Sequence, residues 1–207
     1  MANNDTKKFG KKELLLEAAL AEFSRHNYEQ ASLNTILETS GVGKGNFYYH
    51  FKNKETLFLA VLERLLQAKL DFLSTRSGYI EAGSGIFSLL RAHGRLSEEF
   101  ALTDPRIEGF LYRLSNELPA CMQDKVNALM GKSSASYFRD MVSAAREGGE
   151  IRDDLPVDFI SRLLTFLFTN FARAFVDSDR NRNLDSTRIL ADFERYMDFI
   201  EAGLEKK

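Results

Sequence analysis

Between Ser32 and Glu55 the chain reads SLNTILETSGVGKGNFYYHFKNKE, and this stretch constrains the fold more than any other. Ser32 is a good N-cap residue, and Leu33, Ile36 and Leu37 follow at the i, i+3, i+4 spacing of one helix face. Ser40-Gly41-Val42 ends that helix, because glycine accepts the left-handed backbone that a tight corner needs. A second short helix runs from about Lys44 to Phe51. Two short helices across a glycine corner make a helix-turn-helix, whose second helix can enter the major groove of DNA. The chemistry of that helix suits the task. Lys44, Asn46, Tyr48, Tyr49, His50 and Lys52 are rich in donors, Lys54 follows, and no acidic residue occurs from Thr39 to Lys54.

The remainder reads as helices. Pro105, Pro119 and Pro156 are the only prolines, and each sits where a break between helices is expected. No stretch sustains period-2 alternation, no Asn-Gly hairpin occurs and no internal repeat is visible. The first helix is expected over Lys11 to His26, with Leu15, Ala18, Ala19 and Phe23 facing inward. The fourth is expected over Lys54 to Ser74, some 20 residues or about 30 Å. Later helices are expected near Gly85–Ala101, Pro105–Asn116, Ala120–Glu147, Pro156–Val176 and Asp185–Leu204. Residues 76–85 and 177–183 are loop-like by their Gly, Ser, Asp and Asn content. The fold class is therefore all-α with about nine helices: a three-helix DNA-binding domain over 1–54 and a larger helical domain over 55–207.

Composition narrows the function classes. At 207 residues and 44% hydrophobic the chain has material for one or two domains with real cores. The single Cys121 excludes an internal disulfide and fits a reducing cytosol. The first residues, MANNDTKK, lack the apolar core of a signal peptide. The longest near-apolar stretch, Leu163 to Ala172, is interrupted by Thr165, Thr169 and Asn170 and is about half of the ~20 residues a membrane span needs. The expected location is the cytoplasm, with no membrane partner. The net charge of −2 divides unevenly: residues 1–54 carry eight Lys/Arg against six Asp/Glu, and residues 55–207 carry 20 against 24. The N-terminal excess has the sign a nucleic-acid binder needs. Lys7, Lys8, Lys11 and Lys12 form a basic arm, which reads equally as a phosphate contact and as a solubilising tail.

Enzyme chemistry finds no support. His26, His50 and His93 have no metal-ligand spacing with Cys121 or with one another, so no metal is expected. Gly131-Lys132-Ser133 looks like the end of a phosphate loop, but Val126 occupies the place of its first glycine and no strand precedes it. Gly41, Gly43 and Gly45 miss the dinucleotide spacing, since Asn46 stands where the third glycine belongs. No catalytic residue and no cofactor are expected.

The string LLLEAALAEFSRHNYEQASLNTILETSGVGKGNFYYHFKNKETLFLAVLERLL, from Leu14 to Leu66, resembles the N-terminal domain of the TetR family of bacterial transcriptional regulators. Its sharpest parts are Gly41-Val42-Gly43-Lys44-Gly45, the run Phe47-Tyr48-Tyr49-His50-Phe51, then Lys54-Glu55 and Leu57-Phe58. Gly43 departs from the usual serine or threonine, Asn46 from a common threonine and Leu37 from a common alanine. The resemblance and the side-chain chemistry together give an expected DNA-contacting set of Thr35, Lys44, Gly45, Asn46, Tyr48, Tyr49, His50 and Lys54. Tyr48, His50, Lys54 and Thr35 suit phosphate oxygens. Lys44, Asn46 and Tyr49 sit where side chains reach base edges, lysine suiting guanine and asparagine adenine. Phe47 and Phe51 read as core, and Tyr48 has a second reading as a core tyrosine with its hydroxyl at the surface.

The helix from Pro156 carries Ile160, Leu163, Leu164, Leu167, Phe168, Phe171 and Phe175 as one stripe, and Phe159 and Phe166 widen the apolar arc beyond an ordinary surface helix. Such a helix has two faces to bury. Paired with the last helix (Ile189, Leu190, Phe193, Tyr196, Met197, Ile200), it suits a four-helix contact across a two-fold axis. In the resembled family these two helices make the homodimer. The expected interface is Ile160, Leu164, Leu167, Phe168, Phe171, Phe175, Phe193 and Met197; the other reading is a helix central to a monomer. The resemblance further implies a second domain that senses a small-molecule effector of unstated identity. Candidate contacts there are Tyr112, Arg113, Asn116, Phe166 and Asn170. The function expected is a sequence-specific regulator, a repressor released from a palindromic double-stranded DNA operator when the effector binds. The alternative is a helical ligand-binding or adaptor protein with a vestigial DNA reader.

Overall fold

The computed structural model describes residues 10–77, 85–175 and 186–206 and, within them, all side chains except those at 77, 133, 172–175 and 186–189. Nine helices run through the described residues: α1 (Lys11–Arg25), α2 (Leu33–Ser40), α3 (Lys44–His50), α4 (Lys54–Ser77), α5 (Ile86–Leu102), α6 (Pro105–Asn116), α7 (Ala120–Glu147), α8 (Val157–Phe175) and α9 (Ser186–Leu204). The described residues contain no strand, only an isolated bridge between Ile151 and Glu205. The all-α expectation holds, with helix ends within three residues of those read from the sequence. Lys7 and Lys8 of the basic arm, most of the 76–85 loop, the 177–183 loop and the side chains of Phe175 and Ile189 lie outside the described residues.

The chain forms two compact units. One runs to Leu65 and takes in Asp104–Pro119; the other comprises Leu66–Thr103 and Ala120–Lys207. Where the sequence suggests a boundary after residue 54, the first unit therefore extends eleven residues further along α4 and also includes α6. The reason lies in contacts that residue patterns do not reveal. The Arg113 guanidinium of α6 donates to the carbonyls of Ser24 (3.1 Å) and Arg25 (2.6 Å), capping the C-terminus of α1. Phe110 of α6 packs at a tilt on Phe58 of α4 with centroids 5.2 Å apart, and Phe58 meets Phe23 of α1 edge-on at 5.0 Å. Glu17 of α1 pairs with Arg64 of α4 and, at 2.9 Å, with Arg106 of α6. Partial burial pushes the Glu17 carboxyl up, but the hydrogen bonds from Arg64 and Arg106 outweigh it, and the net shift is below the ordinary carboxylate value.

The second unit is built on Ile86 and Leu90 of α5, Phe138 and Val142 of α7, Ile160 and Leu164 of α8, and Phe193 and Met197 of α9, all buried. Gly94 of α5 lets α9 approach: a Cβ there would lie 2.0 Å from Cζ of Phe193. At the rim of the same helix pair, Arg91 donates to Glu194 (2.6 Å), Asp198 (2.8 Å) and Glu201 (2.7 Å) of α9.

Candidate nucleic-acid interface and interior cavity

Local chemistry assembles the reader. The Ser32 hydroxyl accepts from the Thr35 N–H at 3.3 Å and caps α2, while the Ser32 N–H donates to the buried Glu22 carboxylate of α1 at 2.8 Å. Gly41 takes φ 65°, a left-handed conformation that L side chains rarely adopt, and turns the chain at the C-terminus of α2. Ser40 braces the corner, donating to the Leu37 carbonyl at 3.1 Å and accepting from the Val42 N–H at 3.3 Å. Phe47 is fully buried beneath α3, and Val42 and Phe51 close the same core. The sequence expectation that both phenylalanines are core holds. Gly43 is the N-cap of α3 and supplies no side-chain cap, in keeping with its departure from serine or threonine.

With Phe47 as keel, the opposite edge of α3 faces solvent. Lys44, Gly45, Tyr48 and Tyr49 are exposed, the two tyrosines at 60% and 82%, which sets aside the reading of Tyr48 as a core tyrosine. Asn46 and His50 are half-buried, and Thr35 on α2 is exposed. Tyr48 rests edge-on against Phe47 (5.1 Å) and Tyr49 against His50 (4.9 Å), so packing limits the freedom of both rings. The Lys11 ammonium donates to Asn46 Oδ1 at 3.2 Å, tying the first turn of α1 to the reader. Seven of the eight expected DNA contacts thus lie on α2 or α3 as exposed or half-buried residues.

Lys54 is placed differently. Its ammonium donates to the carbonyls of Ala31 (2.9 Å) and Glu29 (3.1 Å) and sits 5.0 Å over the Tyr28 ring. Burial there moves its pKa below the ordinary lysine value against the pull of Glu29 and Glu22. Lys54 latches the start of α4 to the segment joining α1 and α2.

In the second unit a cavity of about 70 Å³ opens among α4, α5, α7 and α8. Lys69, His93, Ser134, Tyr137 and Thr169 supply its polar lining. None of the five residues read from the sequence as candidate effector contacts lines it. Tyr112, Arg113 and Asn116 lie on α6 in the first unit, where Arg113 is committed to α1 and to Glu117 (2.5 Å), and the Asn116 amide donates to the Tyr112 carbonyl at 2.8 Å. Arg113 does border a gap of about 10 Å³ beside Phe23 and Phe110, space for about one water. Phe166 is 63% exposed, and Asn170 donates back to the Phe166 carbonyl at 2.8 Å. Their neighbours Phe168 and Thr169 face the cavity instead. The sequence signal for the site was a histidine on the apolar face of α5, in line with Ile86, Leu90 and Phe100.

The expected dimer stripe is also corrected. Ile160 and Leu164 are fully buried in their own unit, Phe193 and Met197 join the same core, and Leu167, Phe168 and Phe171 pack against it. The arc was wide enough for two faces, and these seven residues form the inner one, whereas Leu163, read into the same stripe, is exposed and the side chain of Phe175 lies outside the described residues. The outer face of α8 carries Phe159, Leu163 and Phe166, and α9 exposes Phe199. Among the described residues no helix is long and apolar enough to cross a membrane, and no three His, Cys, Asp or Glu side chains gather as a metal site would require.

Residues 15–61 match the family described as bacterial regulatory proteins, tetR family. The HTH-type transcriptional regulator YvdT of Bacillus subtilis is 36% identical over 177 residues, 85% of this chain and 88% of its own. The HTH-type transcriptional repressor AcnR of Corynebacterium diphtheriae is 24% identical over 197 residues, 92% of this chain and 89% of its own. Among solved structures, TylP, a TetR regulator from Streptomyces fradiae, superposes with a TM-score of 0.65 at 26% identity, covering 95% of this chain and 87% of that one.

Proposed function

The chain belongs to the TetR family of helix-turn-helix DNA-binding transcriptional regulators, and from that membership we propose that it is a cytoplasmic homodimeric repressor which leaves a palindromic operator when a small molecule binds its second unit. The observation that carries the reading is the edge of α3: Lys44, Tyr48 and Tyr49 exposed above a fully buried Phe47, with no acid from Thr39 to Lys54. In this reading Tyr48, His50 and Thr35 bind phosphate oxygens and fix the register, while Lys44, Asn46 and Tyr49 meet base edges and Gly45 leaves room for the backbone to approach. Lys54 holds the frame. Two such readers one helical turn apart require a two-fold assembly. The outer face of α8, Phe159, Leu163 and Phe166, supplies the apolar surface for it. The chain is assigned no reaction of its own.

The test is a gel shift with DNA from upstream of the chain's own coding region, in excess non-specific competitor, followed by footprinting. A retarded complex protecting a palindrome is expected. Failure of the full-length protein to select any sequence from a random-duplex pool would overturn the reading in favour of a helical binding protein with a vestigial reader.

A further inference from the structure

The cavity of the second unit holds polar groups that the helical packing leaves unanswered. His93 is only 9% exposed, its ring wedged against Tyr137, Phe138 and Phe168 with centroids 5.2, 5.7 and 5.6 Å away, and its Nδ1 makes no hydrogen bond among the described residues. Buried ring nitrogens are ordinarily paired, because desolvation without a partner is costly. Lys69, one helix away on α4, lines the same cavity, and among the described residues no carboxylate belongs to the lining. The hydroxyls of Ser134 and Tyr137 on α7 and of Thr169 on α8 are the other polar groups, and they are donors that carry no charge at neutral pH. Leu70, Leu73 and Met130, with the rings of Phe138 and Phe168, make the rest of the wall apolar.

We propose that this cavity takes a small apolar molecule bearing one carboxylate, its oxygens shared between the Lys69 ammonium and the His93 imidazole and its hydrocarbon against Phe138, Phe168 and Leu73. The charge balance selects the head group. An amine would meet Lys69 with like charge. An alcohol or amide would pair with His93 and leave the lysine uncompensated. A doubly charged phosphate would exceed the one cation among the described lining residues, and about 70 Å³ of space favours a compact group. The titration of the lining agrees. Burial lowers Lys69 to about 8, and burial together with the Lys69 charge lowers His93 to about 3, so at neutral pH the described lining offers one cation and a neutral imidazole able to donate from Nδ1. Tyr137, raised by burial, keeps its proton. The binding assignment stands on the cavity; only its regulatory consequence rests on reading the second unit as the sensor.

Isothermal titration of the full-length protein tests it, with straight-chain monocarboxylates from acetate to hexanoate, each against its own primary amide. At least one acid is expected to bind about tenfold or more tightly than its amide, the margin of a charge-assisted over a neutral hydrogen bond. Lys69→Met should erase that preference, and Lys69→Arg, which keeps the charge, should retain it. Equal affinity of acid and amide, binding of none of the acids, or a preference that survives Lys69→Met overturns the proposal. The best acid is then added to the operator complex. Release joins the site to regulation, whereas binding without release upholds the carboxylate site and removes this cavity from the repressor reading.

Discussion

His93 makes the second unit sensitive to acid, by an amount that follows from its burial. In the folded chain its pKa is lowered to about 3, by burial first and by the Lys69 charge second; an unfolded histidine titrates near 6.5. Below 6.5 the unfolded state therefore binds a proton that the folded state refuses, and stability falls as the pH drops from 6.5 toward 3. Between pH 7 and pH 5 the unfolded state gains about 2 kcal/mol from this one group, out of about 5 kcal/mol available over the whole window. Protonating the folded form offers no escape, because it places a second cation beside Lys69 among aromatic rings. Urea unfolding followed by circular dichroism at pH 7, 6 and 5 measures the effect, with His93→Leu as the comparison, since the difference between the two slopes cancels every other titrating group. The wild type should lose about 2 kcal/mol more than the variant. Parallel pH profiles would mean that His93 is hydrated or partnered in solution and would refute the reasoning.

Four further outcomes follow from named contacts. Gly94→Ala places a methyl 2.0 Å from a buried Phe193 ring, which Phe168 and Phe171 hem in, and should cost about 1–3 kcal/mol by thermal unfolding; an unchanged melting temperature would show that the ring has room. Tyr48→Phe removes a phosphate donor without touching the core and should weaken all operator variants about three- to tenfold alike, whereas a change in base preference would put Tyr48 among the base contacts. Phe166→Asp sets a charge on the outer face of α8 and should yield monomers by sedimentation; a surviving dimer moves the interface elsewhere. Carboxylate affinity should be full from about pH 6, above the ligand's own carboxyl range, to about pH 8, and fall as the pH rises through the Lys69 value, because the bound anion raises that pKa and binding takes up a proton, while His93 and Tyr137 stay neutral across the window. A flat profile would take Lys69 out of the contact.

The reader was legible because its structure is decided within a few residues. A serine cap, a glycine at φ 65° and one phenylalanine aimed inward need no distant partner to be understood. The helix bounds were legible for the same reason, each proline marking a start. What failed was sidedness. In α8 both faces are apolar, so periodicity gave an axis but not which side the protomer buries, and Ile160 and Leu164 proved to be core. The placement of α6 failed because it is fixed by Arg113 reaching carbonyls 88 and 89 positions away in sequence. His93 and Lys69 belong to no motif, and only their convergence on one cavity gives them meaning.

Lys54 shows how a correct pattern carries two physical solutions. A lysine directly after a recognition helix, opening the next one, reads as a phosphate contact. Yet the first turn of a helix presents the positive end of its macrodipole, where a cation is disfavoured by a few tenths of a kcal/mol up to about 1 kcal/mol unless something negative answers it. DNA phosphate is one answer. The structure supplies another in the carbonyls of Glu29 and Ala31 and the face of the Tyr28 ring. These lie in the segment between α1 and α2, so the ammonium ties the start of α4 to the base of the reader before any DNA arrives. Removing it loosens the frame that aims α3, and weakened operator binding in such a variant reports on that frame. Tyr48, exposed and with its ring supported by Phe47, lacks this second duty, and it is the residue whose loss reads the phosphate contact cleanly.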